Sequence, residues 1–247
     1  VNLVSPVDGQ TALIIASSLG NERIVQLLLQ NRADPVLPNS QETYPLQVAA
    51  HHGKPSVVAL LLKRRAKVDQ RANPRKLTAL HAAASANNTE AARLLLNARA
   101  KIDERVQPRK ITALHVAAGE GHTETVQLLL NAWKQNPGKD VQQMARTSSH
   151  GPYYFINDRT KDGATALSLA RSAGHVHTVQ FLLAANADPN TEVSPTARSL
   201  TLEQHIDSAR GILSARSHCT DEDPRCKDGM SARSGLSTAR NLGSSRG

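Results

Sequence analysis

One line of this sequence is written twice. PRKLTALHAAA begins at Pro74 and PRKITALHVAA at Pro108, 34 residues later. A fixed period of 20–50 residues constrains the fold more than any local propensity, because it demands a row of like units that cover one another. Anchored on the central leucine, the same pattern stands at Leu13 in DGQTALIIASSLGN, at Leu46 in ETYPLQVAAHHGK and at Leu167 in DGATALSLARSAGH, with Leu80 and Leu114 in the quoted pair. The steps are 33, 34, 34 and 53 residues. The last is one period plus about 20 residues.

The third copy shows what a unit is. Thr78 precedes an apolar run, Leu80, Ala83 and Ala84, which reads as a short helix capped by the threonine hydroxyl. Asn87-Asn88 breaks it, and Thr89-Glu90 opens a second helix that buries Ala91, Ala92, Leu95 and Leu96. From Asn97 to Ile111 there is no helical periodicity and a proline, Pro108, so this stretch is a loop or hairpin. Neither helix exceeds about ten residues, and helices that short are marginal in water alone. Each unit therefore needs neighbours, and the row is stable only as a stack.

These residues resemble the ankyrin repeats, whose signature is T-P-L-H-x-A at a period near 33. The matches are Thr11-Ala12-Leu13, Tyr44-Pro45-Leu46, Thr78-Ala79-Leu80-His81, Thr112-Ala113-Leu114-His115 and Thr165-Ala166-Leu167. Gly121-His122 and Gly174-His175 between helices, the Leu27-Leu28-Leu29 run and Ala187-Asp188 extend the likeness. The resemblance implies an all-α repeat solenoid of stacked helix-turn-helix units with hairpin fingers. Five repeats are expected at 8–39, 40–73, 74–107, 108–132 and 162–190, with an insertion at 133–161 and a flexible tail at 191–247. Where the family has glycine after the second helix, this chain has Arg32, Arg65, Arg99, Asn186 and, in the fourth unit, Trp133. A left-handed cap without glycine costs roughly 1 kcal/mol, so a less stable array is expected. Val1-Asn2 matches the end of a family repeat, and a further repeat upstream is the expectation.

Composition narrows the function. Aromatics are 2% of the chain, so Ala, Leu and Val must build the core. No apolar run is long enough to span a membrane, and the first residues lack the pattern of a signal peptide. Cys219 and Cys226 lie outside the repeats, which suits a reducing, cytoplasmic compartment, with the nucleus as the alternative. Their spacing does not suit zinc, and no metal or cofactor is expected. The net charge is +9, and most of it belongs to the repeats, which hold 22 Lys and Arg against 14 Asp and Glu up to Asn190.

In the family the resemblance points to, the fingers and the exposed turn of the inner helix form a concave binding surface. By position, the inner-helix candidates are Ser18, Leu19, His51, His52, Ser85, Ala86, Gly119, Glu120, Ser172 and Ala173. The finger candidates are Arg71, Asn73, Arg75, Leu77, Arg105, Gln107, Arg109 and Ile111. Pro74-Arg75-Lys76 and Pro108-Arg109-Lys110 recur on adjacent fingers and, with Arg71 and Arg105, predict a basic ridge suited to an acidic surface. Lys63-Arg64-Arg65-Lys67 is a second basic cluster, read as a solvated helix end. His81 and His115 sit where the family's imidazole ties neighbouring turns, a structural role. The insertion gathers Trp133, Tyr153, Tyr154 and Phe155, which either anchor a partner or pack back on the repeats. In the tail, TLEQHIDSARGILSAR (201–216) has a capping box at Thr201 and Gln204 and an apolar stripe of Leu202, Ile206, Ala209 and Leu213, which reads as a terminal capping helix.

There is no phosphate-cradling glycine loop, metal-ligand quartet or nucleophile–base pair, so the expectation is a non-enzymatic adaptor or scaffold that binds a protein. A basic surface for nucleic acid or an anionic membrane is the alternative, although the basic fingers lack interleaved aromatics for base stacking. A regulatory segment of a larger enzyme or channel is the third reading.

Overall fold

The structure is a computed structural model that describes residues 1–6, 9–72, 77–135 and 155–190. They lie in a compact unit running Val1–Leu213; a second unit, Ser214–Gly247, falls outside the described residues. The tail and its 201–216 segment fall outside them too.

Five helix pairs follow one another along the described residues. They are α1 (Ala12–Leu19) with α2 (Glu22–Gln30), α3 (Pro45–His51) with α4 (Pro55–Lys63), α5 (Ala79–Ser85) with α6 (Thr89–Asn97), α7 (Ala113–Gly119) with α8 (Thr123–Gln135), and α9 (Ala166–Ser172) with α10 (Val176–Ala184). The first helix of each pair starts after Thr11, Tyr44, Thr78, Thr112 or Thr165, in extended conformation. It ends in a left-handed turn at Gly20, Gly53, Gly121 or Gly174, with Asn87 (φ 54°) taking that place in the third unit. No extended strands form among the described residues; isolated bridges close the fingers, at Ala72 with Leu77 and Val106 with Ile111.

The inner helices pack in the order α1–α3–α5–α7–α9 and the outer helices in the order α2–α4–α6–α8–α10. The fifth unit therefore takes the next place in the stack despite its 53-residue step. Pairs of buried alanines, Ala49-Ala50, Ala83-Ala84 and Ala117-Ala118, let the inner helices approach closely. Leu61, Leu95, Leu129 and Leu182, one in each of the last four units, form a fully buried column between the two rows.

The second helix of four units ends in a Schellman motif without glycine. Arg32, Arg65, Arg99 and Asn186 have φ between 63° and 67°. The amide after each bonds back to the last helical turn, as in Ala66 N to Leu61 O at 3.0 Å and Ala100 N to Leu95 O at 2.9 Å. The fourth unit departs from the expectation. Trp133 is no cap; α8 runs past it, and the buried indole stacks on Phe155 with ring centroids 4.5 Å apart.

Phe155 also marks where the register resumes. Asn157 Oδ1 accepts the Asp188 amide at 2.9 Å, as Asp69 Oδ1 accepts the Lys101 amide at 2.9 Å and Asn2 Oδ1 the Asp34 amide at 3.0 Å. FINDR (155–159) is thus the counterpart of KIDER (101–105).

The two ends of the stack show what a neighbour does. Ile15 and Ile24 are each 45% exposed, whereas their counterparts Val48, Ala82, Val116 and Leu169, and Val57 and Ala91, are buried. With Leu3, Leu19 and Leu27 they make an open apolar end.

Candidate functional site

The finger and inner-helix side is organised by three periodic ladders. In the first, the third residue of the three central inner helices, α3, α5 and α7, reaches the next finger. The Thr78 hydroxyl meets His81 Nδ1 at 2.8 Å, leaving Nε2 to donate to the Ile111 carbonyl at 3.3 Å. The Thr112 hydroxyl meets His115 Nδ1 at 2.7 Å, and Nε2 donates to the Asp158 carbonyl at 3.0 Å. In the second unit Gln47 does the same work, its Nε2 donating to the Leu77 and Gln70 carbonyls at 2.8 and 2.9 Å. Both imidazoles are buried, and burial pushes their pKa down, that of His81 to about 4. They hold the stack together as neutral rings, as the resemblance implied.

In the second ladder, the residue before each of the last three outer helices caps the inner helix of the preceding unit. Asn88 Nδ2 donates to the Ala50 carbonyl at 2.9 Å, His122 Nε2 to Ser85 at 3.3 Å and His175 Nε2 to Gly119 at 3.0 Å. These bonds satisfy carbonyls that a helix end leaves without partners.

The third ladder rewrites the basic ridge. Arg71 on one finger pairs with Glu104 on the next at 2.6 Å, and Arg105 pairs with Asp158 at 2.8 Å. The register is the same in both rungs: each arginine reaches the acid that precedes the next unit's arginine, in VDQR, KIDER and FINDR. Arg71 and Arg105 are therefore ion-paired structural ties, with their carboxylates shielded from water. The repeated acid-arginine pair was present in the sequence, but only the packed fingers show that it joins units.

The remaining candidates divide sharply. Leu77 and Ile111 are buried with Ala72, Val106 and Val116 in a small core of the fingers, so they support the surface from beneath. The finger hairpin turns these residues inward just before the helix cap. Trp133 and Phe155 are likewise buried against the repeats and offer a partner no face, the second of their two expected fates. Ser85 and Gly119 are buried as well. Gln107 and His52 are exposed, while Arg109, His51 and Glu120 are half-buried. His52 stands edge-on to His51, and burial together with Lys54 lowers its pKa. Asn73, Arg75, Tyr153 and Tyr154 lie outside the described residues.

What the fingers leave accessible is a different cationic group. The Lys161 amide bonds to the Arg109 carbonyl at 2.7 Å, which sets the 107–110 turn beside the finger of the fifth unit. Lys110, in the left-handed region at φ 57°, and Lys161 are exposed. Arg109 has one guanidinium nitrogen, Nη1, buried without a hydrogen-bond partner. No salt bridge engages any of the three among the described residues. Asp162 follows Lys161 in the same finger and leaves the group net positive.

The family model for ankyrin repeats matches the chain in three copies, over residues 1–72, 46–145 and 103–193. Among characterised proteins, Inversin of Canis lupus familiaris is 42% identical over 77 residues, which is 30% of this chain and 7% of that protein. Inversin of Mus musculus and of Homo sapiens are each 40% identical over the same length. The chain thus spans a small fraction of the relatives it matches.

Proposed function

The chain belongs to the ankyrin repeat family, whose members are typically non-enzymatic protein-interaction modules, and on that footing we propose that it binds a protein partner bearing an acidic patch through its finger and inner-helix side. The observation that carries this reading is the juxtaposition of Arg109, Lys110 and Lys161 on two touching fingers, with no carboxylate bridged to them among the described residues. A guanidinium nitrogen held away from water with no acceptor favours an incoming carboxylate. His52 and Gln107 extend the contact area as polar, exposed neighbours on the same side. Arg71 and Arg105 contribute only their residual field, since their charges are already matched.

The test uses three baits, the parent and two variants, all the whole chain, exposed to cell lysate with and without nuclease at low and moderate salt. Arg109→Glu/Lys110→Glu/Lys161→Glu reverses the unmatched group, and Lys63→Glu/Lys67→Glu reverses the basic outer-helix end. We expect a protein retained by the parent and by the second variant to be lost by the first. Equal retention by all three baits would refute the finger assignment. Binding that vanishes with nuclease and falls steeply with salt would favour the nucleic-acid alternative instead.

A further inference from the structure

Among the described residues, nothing covers the C-terminal end of the stack as each other unit is covered by the unit after it. Leu183 is 39% exposed, whereas its counterparts Leu29 and Leu130 are 7% and 5% exposed and Leu62 and Leu96 are half-buried. Val176 is 61% exposed. Side chains of the following unit crowd Gly20, Gly53 and Gly121, but no atom stands near a Cβ built on Gly174. The carbonyls of His51, Ser85 and Gly119 each accept a side chain from the following unit, and no described residue reaches the equivalent Ser172 carbonyl. The arginine ladder also stops at this end: Arg159 is exposed and bridged to no carboxylate among the described residues.

The chain leaves this same end at Asn190 with more sequence to place. The repeat sets a spacing for it. From the end of an outer helix to the next inner-helix cap is 14 residues from Gln30 to Tyr44, and 15 from Lys63 to Thr78 and from Asn97 to Thr112. Seventeen residues after Ala184 stands Thr201, the first residue of the capping box. After Thr201, Leu202, Ile206, Ala209 and Leu213 fall on one helical stripe. Glu203 and Asp207, one turn apart, flank that stripe, and the open end presents exposed Arg159 and Arg171. The ten residues 191–200 can reach about 33 Å, well beyond the roughly 10 Å between packed helices.

We infer that residues 201–213 dock as a helix on the open face of α9 and α10 and close the stack in cis. The segment has an apolar stripe on one side only, and Glu203 stands where an inner helix carries its leucine. It ends the row as a polar-backed cap in place of a sixth repeat.

The test uses the full chain with Cys219→Ser and Cys226→Ser, so that Leu183→Cys is its one thiol. Maleimide labelling of that thiol is compared in this parent, in Ile206→Asp/Leu213→Asp and in Ser208→Asp, which alters the opposite side of the stripe. We expect the first variant to label about ten times faster, the second to match the parent, and the parent rate to hold over a hundredfold dilution. Equal rates in the parent and in Ile206→Asp/Leu213→Asp would overturn the inference. Protection lost on dilution would overturn it too, because a second copy would then be the cover. Hydrogen exchange of the α10 amides in the chain with native Leu183 gives the same comparison without the reporter: exchange is expected to be faster in Ile206→Asp/Leu213→Asp, and equal exchange would count against docking.

Discussion

Arg105 and Lys110 lie on one finger with like charge and opposite roles. Arg105 neutralises Asp158, a carboxylate only 8% exposed, across a unit boundary; Lys110 points its charge at water. Arg105→Ala leaves that carboxylate without its cation, and we expect it to cost about 1–2 kcal/mol in urea unfolding, against less than about 0.5 for Lys110→Ala. His81 makes a second residue-scale prediction. Its folded pKa, about 4, lies below the usual 6.5, so the unfolded chain takes up the proton first. The stability from this ring is complete above about pH 6.5 and declines as pH falls toward 4, by up to about 1.4 kcal/mol per pH unit. His115, lowered by the same burial, acts in the same direction. Gln47 already makes the equivalent bonds without titrating, so His81→Gln should flatten the acid limb of stability between pH 7.5 and 5 while leaving the fold intact.

At the scale of the helix pair, local rules place the ends and neighbours decide the cost. Three arginines occupy left-handed caps that glycine fills without strain. Arg65 is exposed and joined to no salt bridge among the described residues, so Arg65→Gly removes backbone strain and little else. Net of the extra freedom glycine gives the unfolded chain, we expect a gain of about 0.5–1 kcal/mol, read as a higher urea midpoint at unchanged slope. The fourth pair shows the limit of the pattern. Trp133 stands where a cap is expected, but a flat apolar ring gains more by stacking on Phe155 than by ending the helix, and α8 continues to Gln135. No spacing rule at position 133 announces a partner 22 residues away.

For the whole stack, each layer rests on the layers beside it. Truncating the central column should therefore hurt far more than truncating an end. Leu95→Ala, at a fully buried position with units on both sides, is expected to cost about 2–5 kcal/mol, and Leu27→Ala, half-exposed on the open first face, less than about 1, both by equilibrium denaturation. The sequence by itself determined the period, the helix pairs and the family, because these follow from the chain's own spacing and from residue types that the repeat fixes; the histidine ties were implied by the family, and burial in the packed stack keeps those rings neutral. Only the packed structure decided which cations are spent. Arg71, Arg105, Arg109 and Lys110 look alike along the chain, and their roles separate when adjacent fingers bring Glu104 and Asp158 against two of them. It likewise decided that Leu77, Ile111, Trp133 and Phe155 face inward. Charge matching and burial are properties of pairs in space, and a period specifies where units lie without saying which side chains meet across them.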